Sequence, residues 1–358
     1  MPLSATSKRL VERGDLDELT MRVNGLVADG DWEELAELRE GCRRAVERGK
    51  QLWPVASHIE YRLCLEGPPV WAATMVEQAG GRFALGPLTE VAASAHTWEE
   101  LAPHLNATPQ AAMVAHERVV RGEDLGADAR AAALPEVLDL PLHLMPWEPE
   151  YAVALYHPDK LEAPTPRLPQ PATAYSDAPG APPPENPAPS HPAPSHPAPS
   201  YPAPSHRHDF ACTAMEELVS AWTEESNGRA EAVCVDGPAR LAITALGARH
   251  ARTAELRLDE AMALMAWAAA SGGAHGRRRG AAAGRFGAWW AVAALCGCDD
   301  GPLAVARLGE AASGFAWYLW DAGEPGTGWA CRLAVAEAPA PGGGHLPRSW
   351  ALAATDAA

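Results

Sequence analysis

Apolar residues recur at three- and four-residue intervals through the first part of the chain. They stand at Leu16, Leu19, Val23 and Leu26, then at Trp32, Leu35, Leu38, Cys42 and Val46, and again at Val55, Ile59 and Leu63. That spacing lines one face of a helix. The first two stripes begin at Gly14-Asp15-Leu16-Asp17-Glu18-Leu19 and Gly30-Asp31-Trp32-Glu33-Glu34-Leu35, and a related piece stands at Thr97-Trp98-Glu99-Glu100-Leu101. In each, Asp or Thr can accept from a free first-turn amide while the Glu three residues on reaches back, the pattern of a capping box. Thr108-Pro109 opens another helix through Met113, His116 and Val120, with proline at the first helical position. Short helices joined by Gly-Asp and Gly-Pro turns predict an acidic, all-helical hairpin array over residues 1–160. Its pattern thins from Ala131 to Pro158, where Leu138 to Leu144 or Tyr151 to Tyr156 read as short extended pieces.

Residues 161–208 carry no such pattern. Between Pro164 and Pro204 lie 16 of the 34 prolines, and Leu168 is the only aliphatic residue there larger than alanine. The segment repeats Ser190-His-Pro-Ala-Pro, Ser195-His-Pro-Ala-Pro and Ser200-Tyr-Pro-Ala-Pro. Too little apolar surface is available to offset chain entropy, so a disordered Pro/His/Ser-rich linker biased to polyproline II is expected.

Residues 209–358 mix two periods. Met215, Leu218, Val219 and Trp222 form an amphipathic stripe, and Ala232-Val-Cys-Val-Asp236 reads as a strand. Leu256 to Ala270 is apolar nearly all round, which marks a buried helix. Ala281 to Cys296 resumes helix, with Phe286, Trp289, Trp290 and Ala293 expected on one side. Phe315 to Asp321, Trp329 to Ala336 and Trp350 to Ala354 are apolar or alternating and are separated by Gly- and Pro-rich turns, giving a small antiparallel meander packed on helices. The fold class expected is mainly α: an all-helical N-terminal domain, a disordered linker and a C-terminal α+β domain. The Ala269 to Gly284 loop, Trp317-Tyr-Leu-Trp-Asp321 and Thr327-Gly-Trp329 give the last 110 or so residues a resemblance to uncharacterised proteins of high-GC actinobacteria, which implies no activity and no functional residue.

The net charge of −17 is concentrated in residues 1–160, which hold 15 Lys+Arg against 26 Asp+Glu. An acidic balance works against phosphate-backbone binding, so nucleic acid is not expected as a partner. The first thirty residues lack the apolar run of a signal peptide, and Arg285 interrupts the most apolar window, so no membrane association is expected. Seven cysteines, odd in number and scattered, fit a reducing compartment, here the cytoplasm.

Candidate chemistry is sparse. His116-Glu117-Arg-Val-Val120 begins like a zinc-protease helix but places valine where the second ligand belongs. Ser271 before Gly-Gly follows a helix, the reverse of a nucleophile elbow. Cys296-Gly-Cys298 supplies two thiols and no second pair, and no metal or cofactor is expected. Gly272 to Gly280 is the distinctive stretch: a Gly-rich turn opens onto a helix beside Arg277, Arg278 and Arg279, with His275 nearby. Such a turn can bind a phosphate or carboxylate. The expected function is that of a non-enzymatic cytoplasmic interaction or scaffold protein with a protein partner. The alternative is a small-molecule enzyme or sensor that holds a phosphate-bearing ligand on Arg277, Arg278 and Arg279, with His275 as acid or base.

Overall fold

The computed structural model describes residues 3–78, 85–176, 209–298, 305–323, 328–338 and 346–357. They divide into two compact units, 1–166 with 262–289, and 167–261 with 290–358.

The first unit opens with α1 (Ala5–Arg13), α2 (Leu16–Asp29), α3 (Trp32–Glu47), α4 (Trp53–Glu66), α5 (Pro69–Gln78), α6 (Leu88–Ala95), α7 (Trp98–Leu101) and α8 (Pro109–Val120), then β1 (Leu155–Tyr156) and β2 (Leu161–Glu162) as an antiparallel pair. The caps form where the sequence places them. Asp15 accepts from the Asp17 and Glu18 amides, Asp31 from Glu34 and Thr108 from Ala111. The reciprocal capping box closes at Thr97 and Glu100. Consecutive helices then stack, α3 on α4, α4 on α5 and α6, and α6 on α8. Leu19, Leu26, Leu35, Leu38, Ile59, Leu63, Val91 and Val114 are buried between them. Two stripe members sit differently. Leu16 is exposed, and Trp32 is half-buried at the edge of the core rather than at its centre. Of the extended pieces expected after Ala131, only Leu155–Tyr156 pairs.

The second unit is built on a six-stranded antiparallel sheet. From residue 167 onward the chain runs through β3 (Thr173–Ser176), α9 (Phe210–Glu217), α10 (Ser220–Glu224), β4 (Arg229–Asp236), α11 (Ala239–Ala245), β5 (His250–Leu256), α12 (Leu258–Ala270), α13 (Ala281–Leu295), α14 (Val305–Ser313), β6 (Phe315–Asp321), β7 (Trp329–Glu337) and β8 (Arg348–Asp356), with most of α12 and α13 falling in the first unit. The sheet order is β3-β5-β6-β7-β8-β4. The meander expected from three strands is thus larger than the sequence indicates. β5 was hidden because His250-Ala-Arg-Thr-Ala-Glu-Leu256 is half polar and its burial is correspondingly irregular. β3 lies in what the sequence marks as linker, where backbone pairing with β5 orders a segment that has little apolar surface of its own. The proline-repeat part of that linker lies outside the described residues.

Alternate residues send the sheet's two faces to different helices. On one face Val233, Val235, Ala334, Ala336 and Ala351 pack with Ala242 and Ile243 of α11. On the other lie Trp317, Leu333, Trp350 and Leu352, and α9 and α10 pack on β4 and β8.

Residues 262–289 separate from the rest of the C-terminal half and count with the first unit. There α12 and α13 approach closely: a Cβ on Gly284 would lie 2.3 Å from the Ala266 carbonyl oxygen. Along α13, Trp289 is buried, while Phe286 and Trp290, expected on the same apolar side, are each 36% exposed. The buried side is instead mostly alanine with Val292 and Leu295, so the helix packs through small residues.

Candidate functional site

Loop 272–280 leads directly into α13, and its path depends on a bare backbone at Gly280. This residue has φ +97°, and a Cβ there would lie 2.6 Å from Glu117 Oε1. Glycine therefore allows buried carboxylates to reach the first turn of α13. Two do so. Glu90 Oε1 accepts from the Ala281 amide at 3.2 Å, and Glu117 Oε1 from the Ala282 amide at 3.0 Å. Arg278 turns inward and donates to Glu90 from Nε and Nη2 at 2.8 and 2.7 Å, while the Tyr156 hydroxyl donates to the same carboxylate at 2.6 Å. Arg121 pairs with Glu117 at 3.1 Å. At this loop the start of α13 and Arg278 hold carboxylates. The anions are the chain's own Glu90 and Glu117. Of the candidate residues, the Arg278 side chain is buried, and His275, Arg277 and Arg279 are exposed.

Burial alone would raise both carboxyls, and their partners then separate them. At Glu90 the Arg278 charge and hydrogen bonds outweigh burial and hold the group below the usual carboxylate range. At Glu117 burial and the Glu90 charge outweigh Arg121, and the carboxyl is pushed up to about 7. A group whose folded pKa lies above its unfolded value contributes stability while protonated and loses it as pH rises through the folded value. Glu117 therefore costs stability increasingly from near pH 4.5 to about 7, whereas the Glu90 contribution is present above pH 4.5 and lost below. Glu117→Gln keeps an acceptor for Ala282 but cannot ionise. Its melting temperature relative to wild type is expected to rise between pH 5 and pH 8, corresponding to at most about 3 kcal/mol. A difference independent of pH over that range would show that Glu117 does not titrate there.

A second buried pair lies on the same helix. Arg285 donates to both Glu148 oxygens at 2.7 Å and to the Pro141 and His143 carbonyls at 2.9 and 2.8 Å, with both side chains fully buried. Burial and the Arg285 charge push His116 down to about 4, so it is neutral at pH 7. His116 and Glu117 thus belong to the interior of the first unit. Ser271 Oγ donates to the Ala268 carbonyl at the end of α12. Cys296 is half-buried, and burial pushes its thiol up to about 12. Among the described residues no three His, Cys, Asp or Glu side chains gather as a metal site.

The sequence gives no sign of a groove that lies in the second unit. It occupies about 930 Å³ on the α11 face of the sheet, beyond the end of that helix. Arg229 of β4, Arg249 before β5, His250 and Arg332 line it, with Trp320 and Glu231. Arg332 lies over the Trp320 ring at 5.4 Å and pairs with Asp321 at 3.4 Å. Arg229 and Arg249 are exposed, and among the described residues neither has a carboxylate partner. These residues come from strands scattered along the chain, so no local spacing announces them. The buried arginine did leave a trace, because Arg285 interrupts an otherwise apolar helix.

Comparison with known proteins finds one family model, described as a family of unknown function, DUF6183, that matches residues 17–358. The match takes in the helical N-terminal part as well as the C-terminal stretch where the sequence resemblance was noted. No curated protein and no solved structure matches.

Proposed function

Since the chain belongs to the DUF6183 family of unknown function, we propose from its geometry that it is a non-enzymatic, cytoplasmic interaction protein whose second unit receives an anionic segment of a protein partner. The observation that carries this reading is the groove across the sheet, where Arg229, Arg249, Arg332 and His250 face a shared open space in a chain of net charge −17. A concentration of positive charge on an acidic protein steers an acidic partner to one face and repels it from the rest. The opening is a surface trough, which suits a chain segment laid along it. The charged groups singled out near α13 support a non-catalytic role, since Glu90, Glu117 and Glu148 pair with Arg278, Arg121 and Arg285. Seven free cysteines fit the cytoplasm.

Fluorescence anisotropy of a labelled octaglutamate, with octalysine as control, tests the reading. Wild type is expected to bind octaglutamate and not octalysine, with affinity falling as salt rises. Arg229→Gln/Arg249→Gln is expected to lose at least tenfold. Absent binding, or equal binding by the double variant, would overturn the assignment of this groove.

A further inference from the structure

Strand register gives the groove a length and a charge pattern. Arg229 is opposite Thr355, which is opposite Ala330, and Glu231 is opposite Ala353, which is opposite Arg332. Directly opposed residues share a sheet face. The groove therefore runs across the strands, from β5 through β6, β7 and β8 to β4. Four steps of about 4.8 Å place Arg249 and Arg229 roughly 19 Å apart at its two ends.

The middle differs from the ends. At the centre Asp321 pairs with Arg332, whose guanidinium lies over Trp320, above a floor that includes Ala353, while Glu231 stands on β4 two residues from Arg229. An anion at the centre meets an arginine already paired with Asp321, whereas an anion at either end meets Arg249 or Arg229.

We propose that the occupant is an extended peptide crossing the strands, with acidic residues about six positions apart and small or apolar residues between them. Six residues of extended chain cover about 20 Å at ~3.3 Å each, which matches the separation of the two arginines. This inference rests on the groove reading above and specifies the partner's pattern.

Two octapeptides of identical composition test it. One carries Glu-Glu at both ends around Ala-Ser-Ala-Ser, and the other carries four consecutive glutamates flanked by Ala-Ser. The split peptide is expected to bind wild type at least fivefold more tightly. Arg229→Gln and Arg249→Gln should each remove most of that preference, and their thermal melts should match wild type because both residues are exposed. If the contiguous peptide binds as tightly as the split one, and the double variant still loses both, the groove stands and the spacing is overturned. Inorganic tripolyphosphate competing as well as the split peptide would likewise overturn the extended occupant. If neither peptide binds, the groove reading falls with it.

Discussion

Replacing Arg285 with alanine is expected to destabilise the protein by about 3 to 5 kcal/mol, because it strands the Glu148 carboxylate in the interior. Both side chains are fully buried, the pairing is bidentate, and the guanidinium also serves the Pro141 and His143 carbonyls. The loss is therefore several hydrogen bonds and the compensation of one charge at once. Most of the penalty belongs to the abandoned carboxylate, which a second substitution can distinguish. Arg285→Met/Glu148→Leu removes both charges and should recover most of the loss, since buried pairs are often replaceable by apolar residues. Chemical denaturation of wild type, single and double variants gives the comparison. A single variant within about 1 kcal/mol of wild type would mean that the pair is hydrated.

Trp222→Ala is expected to cost about 3 to 5 kcal/mol, the usual range for removing a large aromatic from a core. Trp222 is fully buried in α10, beside the end of β4 that Gly228 leads into. A Cβ on Gly228 would lie 2.7 Å from the Trp222 carbonyl oxygen, so this corner has little room to collapse into the void. A midpoint shift in urea at unchanged slope would report the loss as one of stability alone. A cost below about 1 kcal/mol would place the indole outside the core.

The stripe that ends in Trp222 is legible in the sequence alone. Met215, Leu218, Val219 and Trp222 recur at helical spacing, and all four are buried. The same held for Leu19, Val23 and Leu26, because a helix face is a local property and the caps that start it lie within four residues. What stayed hidden depends on distant partners. β5 has too much polar content to show as a strand, and it exists because β6 and β3 flank it. The Gly/Arg loop reads in the sequence as a candidate site for a ligand's anion, whereas the carboxylates that meet it, Glu90 and Glu117, stand far earlier in the chain and carry no local mark of that role. Arg229 and Arg249 line one groove from β4 and from the start of β5, four strands apart in the sheet order, so no local spacing links them.

The separation between Glu90 and Arg278 also sets a timetable. They stand 188 residues apart, so at ribosomal rates of ~5–20 residues per second the carboxylate is made about 10 to 40 s before its arginine. Glu117 and Glu148 likewise precede α13, and all of 167–261 is synthesised in the interval. The nascent helical array must therefore wait as an incomplete body whose carboxyls lack these later partners. Arrival of residues 278–285 ends that delay, which makes the final assembly of the first unit a late event on the ribosome's clock rather than an early one.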